Sequence, residues 1–120
     1  MSKFDPNDSV FLTIKRMLGL PEDDASFDTD IRSAINSTFM TLIQLGVLKQ
    51  DTVMITGETE SWKQLSPNPP TAVYTLPEYV YLKTRLAFDP PANSFLVTAI
   101  EKQIKELEWR YDVGRDTTYD

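Results

Sequence analysis

The side chains of this chain that could do chemistry are its carboxylates. The sequence holds 18 Asp and Glu against 12 Lys and Arg, with no histidine and no cysteine. Thiolate nucleophiles, disulfides, Cys/His zinc sites and the usual general base near neutral pH are therefore all excluded. Paired-acid chemistry remains, and Asp28 with Asp30, Asp23 with Asp24, or Glu101 with Glu108 would be the pairs to supply it. Such a role requires a partly desolvated carboxyl in a cleft. Each of these acids instead falls at a helix start or on a wet helix face, and none interrupts an apolar stripe. Asp5-Pro6-Asn7-Asp8-Ser9 has the spacing that opens a calcium loop, with oxygens from Asp5, Asn7 and Ser9. Its sixth position is Val10 where glycine is needed, and its twelfth is Arg16 where a bidentate glutamate belongs. Helix capping is the reading this segment supports. The expectation is no enzyme, no cofactor and no metal.

Acids at caps presuppose helices, and the apolar spacing supplies them. The strongest unit covers residues 79–109. Tyr79, Leu82, Lys83 and Leu86 recur at helical spacing, Asp89-Pro90-Pro91 cannot continue the helix, and Leu96, Ile100, Ile104, Leu107 and Tyr111 restart the period. This is an αα-hairpin with an enforced corner. Its first helix is predicted from Ala72 or Pro77 to Phe88, and its second from Asn93 or Ser94 to about Arg110, with Gly114 beyond the end. Upstream, a helix is predicted after Asp8 or Ser9, with the stripe Val10, Phe11, Ile14, Met17 and Leu18 and a stop at Gly19. Another follows a cap at Ser26, Asp28 or Thr29. It carries Phe27, Ile31, Ile35, Thr38, Leu42 and Leu45, widened by Phe39 and Ile43, and stops at Gly46.

Between residues 47 and 70 the helical period is lost. Thr52-Val53-Met54-Ile55-Thr56 is β-prone and ends at Gly57. A lone strand leaves its ladder groups unpaired, so this arm is expected to pair with an extended piece around Val73 or with the same segment of another subunit. Ser61 to Leu65 suits one helical turn before a proline-rich break. The fold class is therefore mainly α: a small bundle of about four helices with a short extended or β arm between helices two and three. Residues 1–111 form one domain, and 112–120, with little apolar content, form a tail.

Composition agrees with one packed core. The chain has 120 residues, 41% of them hydrophobic, which is near the globular average. No apolar run approaches the roughly 18 residues of a membrane span, and the first residues lack a signal peptide's apolar core. The expectation is synthesis in a cytoplasm and no membrane partner. A net charge of −6 repels phosphate backbones unless Lys and Arg share a face. Lys102, Lys105 and Arg110 are interleaved with Glu101, Glu106 and Glu108, the pattern of a solvated, salt-bridged face. Aromatic groups outside the clearest stripes are better candidates for contact. Trp62 suits a core anchor or an interface anchor, and Trp109 can close the core or leave it. The interface candidates are Val53, Met54 and Ile55 on the arm, Trp62, Trp109 and Tyr111, and Arg115 and Tyr119 in the tail.

Four segments together resemble one group of proteins: Ser26-Phe27-Asp28-Thr29-Asp30-Ile31, Phe39-Met40-Thr41-Leu42-Ile43-Gln44-Leu45-Gly46-Val47, Tyr79-Val80-Tyr81-Leu82-Lys83-Thr84-Arg85-Leu86-Ala87-Phe88-Asp89-Pro90-Pro91, and Ile104-Lys105-Glu106-Leu107-Glu108-Trp109-Arg110. The group is the head-tail connector, or adaptor, family of long-tailed bacteriophages, and the resemblance covers residues 24–113. It implies a small helical virion protein at the head-tail junction, made in the host bacterial cytoplasm. Such a protein forms a homo-oligomeric ring, twelvefold in the virion, beneath the portal protein. The ring extends the DNA channel without sequence-specific binding and presents a surface to the next neck or tail-completion protein. No catalytic residue is implied, and residues 112–120 are implied to dock on the portal. The alternative reading is a small acidic phage regulatory protein or DNA mimic, which needs a continuous acidic face.

Overall fold

A computed structural model describes residues 4–116, with side chains as far as Val113. Among the described residues there are four α-helices and no strand: α1 (Val10–Met17), α2 (Asp28–Gln44), α3 (Leu76–Phe88) and α4 (Ser94–Asp116). Two short 3-10 helices, Trp62–Leu65 and Pro70–Tyr74, punctuate the connection between α2 and α3. The expected helical bundle with an intervening arm is what forms.

Local chemistry sets most boundaries. Ser9 Oγ accepts the amide of Leu12 at 3.1 Å and starts α1. Asp5, the first residue of the calcium-like run, accepts the backbone and side-chain amides of Asn7 in a local turn. Gly19 and Gly46 both stand at φ +81°. Behind each, the amide of the following residue reaches back five residues in the 6→1 bond of a Schellman stop, Leu20 to Lys15 and Val47 to Leu42. A side chain at either position would be strained. Asn93 Oδ1 takes the amide of Phe95 at 2.7 Å and opens α4 just after the diproline corner.

Three local expectations are corrected. No side chain caps α2, whose N-cap is Phe27. Instead Asp28 sits in the first turn, favoured by the free amides there, and takes an ion pair from α1. The last helix does not end near Arg110 but continues through Gly114 to Asp116. A single glycine costs only about 1 kcal/mol in a helix, too little to stop one already propagating. Leu96, assigned to the buried stripe, is 53% exposed, because the first turn of α4 lies beside the corner rather than over α3.

The arm also finds different partners. Val73 lies in the Pro70–Tyr74 3-10 helix and offers no extended edge. The Asn36 side chain of α2 performs that task, accepting the Ile55 amide at 2.8 Å and donating to its carbonyl at 3.0 Å. One carboxamide thus reproduces both bonds of a ladder pair. Residues 60–63 run back along the N-terminal segment, joined through Val10 to Glu60, Trp62 to Asp8 and Lys63 to Pro6, with an antiparallel bridge between Ser9 and Ser61.

α3 is the central element, packing on α1, α2 and α4. The core around it includes Phe11, Ile31, Ile35, Phe39, Trp62 and Tyr79, all fully buried. α4 rests on α3 through Ile100, Ile104, Leu107 and Tyr111, leaving its opposite side uncovered.

Candidate functional site

Among the described residues Thr84 Oγ1 and Arg85 Nε are buried without a hydrogen-bond partner, whereas the buried lysine and the two buried phenols each have a structural one. Lys15 is fully buried at the end of α1, where its Nζ donates to Asp28 Oδ1 at 2.9 Å and to the Glu22 carbonyl at 3.0 Å. That ion pair ties α1 to the start of α2. Tyr79 donates its hydroxyl to Glu108 Oε2 at 2.7 Å, its ring edge meets Tyr111 at 5.7 Å, and Tyr111 shares a 3.0 Å bond with Thr75. Burial, with help from the Glu108 carboxylate, pushes the Tyr79 phenol well above its ordinary value. Tyr111 is pushed up to about 12, mainly by burial. These phenols pin α4 to α3, and both stay protonated at neutral pH.

The acids behave alike. Burial acts to raise Glu60, but bonds from Thr56 and Gly57 outweigh it and hold the carboxyl below the usual range. Asp24 is lowered by hydrogen bonds from Ser26. Asp28 is taken by Lys15 and Glu108 by Tyr79, while Glu106 pairs with Arg110 at 2.9 Å on the outside of α4. Acid chemistry demands a raised carboxyl facing a cleft, and the Glu60 and Asp24 carboxyls are instead held low. Among the described residues no group of acids could hold a metal ion, and no helix is long and apolar enough to cross a membrane.

The interface candidates divide sharply. Ile55, Trp62 and Tyr111 are 2%, 0% and 3% exposed and belong to this chain's own core. Trp62 is held by its indole N–H on Thr13 Oγ1 at 3.2 Å, and so closes the packing beneath α1. Met54 packs partly buried on the core edge, and Val53 is partly exposed. Trp109 is 64% exposed and closes nothing. The Arg115 side chain and Tyr119 lie outside the described residues.

Sequence reasoning missed Phe95, the most exposed large apolar side chain at 84%. Its signal was present. At 100° per residue, Phe95, Ala99, Lys102, Glu106, Trp109 and Val113 fall within about 80° of arc, opposite the buried stripe of the same helix. An aromatic on that side has no use inside the subunit.

On another side of the same helix, the molecule carries a cleft. α2 and α4 flank α3 without closing over it, leaving a hollow of about 550 Å³ between Thr38 and Thr41 on one wall and Glu101 and Glu108 on the other. A second hollow continues it along α2 to Phe27 and Phe88, sharing Ala34, Ser37 and Ala87. The floor is made of small side chains, and the charged groups stand at the rims. A ridge with two aromatics and a cleft with a small-residue floor are features suited to contact.

A family model described as "Phage connector protein" matches residues 10–118, which takes in all four helices and the arm. No curated protein and no solved structure matches the chain.

Proposed function

The chain belongs to the phage connector protein family, and from that premise we propose that it assembles as a ring beneath the portal of a filled capsid. A connector is a structural component of the phage, joining parts of the particle. In this reading the ring, twelvefold in the virion, lengthens the DNA channel at the neck and offers its far side to the next neck or tail-completion protein. Residues 1–111 form the ring body, and residues 112–120, with Arg115 and Tyr119, dock on the portal.

The observation that supports this reading is the division of labour on α4. Four inward residues hold the helix to its own subunit, while Phe95 and Trp109 face outward on a helix that has no neighbour on that side among the described residues. Exposed aromatics on a rigid helix are the usual anchors of protein contact. A helix also fixes the angle between copies better than a loop, as ring closure requires.

Charge fits passage of DNA. The net −6 and the interleaving of Lys and Arg with acids provide no continuous basic stripe to hold phosphates by counterion release. A conduit works best if its cargo slides.

Native mass spectrometry over a concentration series, with and without purified portal, tests the proposal. Rings seen by negative stain, or capture of the chain by portal, are expected. A chain that stays monomeric with portal present, and instead binds a host DNA-binding protein, would replace this reading with the acidic-mimic one.

A further inference from the structure

We infer that neighbouring copies join head-to-tail, the outer ridge of α4 from one copy seating in the α2–α4 cleft of the next. The inference rests on the ring reading above and gives it a definite interface.

The two surfaces match in length. Phe95 and Trp109 are 14 residues apart on α4, which is about 21 Å at 1.5 Å per residue. The cleft follows α2 from Phe27 to Thr41, again 14 residues and about 21 Å. Its floor of Ala34, Ser37 and Ala87 lets a second helix approach closely, since interaxial distance is set by the side chains at the contact. Aromatic groups at both ends of the ridge then reach the two ends of the groove.

Charge selects this pairing. The cleft rims carry Asp30, Glu101 and Glu108 against Lys83 and Lys105, a net −1. The ridge carries Lys102 between its aromatics, together with the paired Glu106 and Arg110 at its edge, a net +1. In a chain of net charge −6, most surfaces repel their own copies, and this is a place where unlike charges meet. Pairing two ridges would instead bring Lys102 of one copy towards Lys102 of another and leave both clefts open to water.

Geometry makes the contact heterologous. The cleft-lining residues of α4 (Glu101, Ile104, Lys105, Glu108) are centred about 130° around the helix from the ridge at 100° per residue. One helix therefore serves as insert on one side and as wall on another, so each copy has a different patch for each neighbour.

Area sets the strength. The matched length of about 21 Å, taken over half the circumference of a helix roughly 10–12 Å across, is on the order of 350 Å². Both partners together bury about 700 Å², below the roughly 1,000 Å² of a specific contact that stands alone. A single pair is accordingly weak, and closure of the ring, where every copy is held twice, makes the assembly durable.

Cysteine cross-linking tests this on the full chain, which has no native cysteine. Ser37→Cys marks the cleft floor and Ala99→Cys the ridge, both at exposed positions. With a short bismaleimide and purified portal as template, the double variant should give a ladder of dimers, trimers and higher species. A mixture of the two single variants should stop at dimers, and each alone should give almost none. Adding Phe95→Asp and Trp109→Asp should reduce the ladder at least tenfold while leaving the thermal midpoint within about 2 °C, since exposed substitutions of this kind change stability little. Efficient dimers from Ala99→Cys alone would overturn the proposal in favour of ridge-on-ridge pairing. Portal-bound rings that give no ladder would overturn the interface and leave the ring reading standing. Monomers under all conditions would overturn both.

Discussion

Replacing Lys15 with methionine should destabilise this protein by about 3 kcal/mol, although no contact between copies is touched. Methionine keeps most of the aliphatic stem, so the packing of the lysine chain is largely retained and the loss is electrostatic. The fully buried ammonium gives up an ion pair to Asp28 at 2.9 Å, a bond to the Glu22 carbonyl at 3.0 Å and a contact over the Phe11 ring at 5.6 Å. Removing one member of a buried pair costs about 3–5 kcal/mol, because the other is left unpaired. Two features hold the value near the bottom of that range. Asp28 lies in the first turn of α2, where the helix amides favour a negative charge by about 0.3–1 kcal/mol. Arg32 lies one turn further along, 5.0 Å over the Phe11 ring, and can swing towards Asp28. With a urea slope of roughly 2 kcal/mol per M, the unfolding midpoint should fall by about 1.5 M. Asp28→Asn should cost somewhat more, since it leaves a buried ammonium with one carbonyl partner. The double variant should recover about 2 kcal/mol relative to the sum of the single changes. A Lys15→Met midpoint within experimental error of the parent, or additive effects in the cycle, would refute the claim that this pair clamps α1 to α2.

Alkaline stability should report the two buried phenols. A phenol raised on folding keeps its proton in the native chain where the unfolded chain, with an ordinary value near 10, has released it. Its stabilisation is thus complete below about pH 10 and is lost as pH rises through the folded value, about 12 for Tyr111 and higher for Tyr79. Urea midpoints taken from pH 9 to 11.5 should fall, and Tyr111→Phe should flatten that fall; an unchanged slope would dissociate Tyr111 from it. Asn36→Ala removes both bonds to Ile55, whose residue is 2% exposed, and should cost about 2–4 kcal/mol while speeding proteolysis within residues 47–60. Equal cleavage rates would mean that packing alone holds the arm. Ser9→Ala should lower stability by about 1 kcal/mol through loss of the α1 cap, read as a shift in thermal midpoint of roughly 4 °C.

Features whose causes lie within a turn or two of chain were legible in the order of the residues. Ser9 capped α1, Gly19 and Gly46 ended their helices, and the diproline corner broke α3 from α4, because hydrogen-bond geometry and allowed φ values at those residues permit little else. Apolar spacing likewise identified four helices and most of the inward faces. Tertiary structure alone decided which aromatics are consumed inside the subunit. Trp62 is buried because its segment folds back to Thr13, 49 residues earlier, and Tyr111 because α3 presents Thr75 and Tyr79 to it. Phe95 and Trp109 obey the same helical period and remain outside, since nothing among the described residues lies across from them. Lys15 reads as an ordinary surface lysine at the end of a helix until Asp28 arrives from the next element. Local rules fix where a helix starts and stops, whereas burial depends on contacts among residues far apart in the chain, and spacing along one element carries no record of what will pack against it.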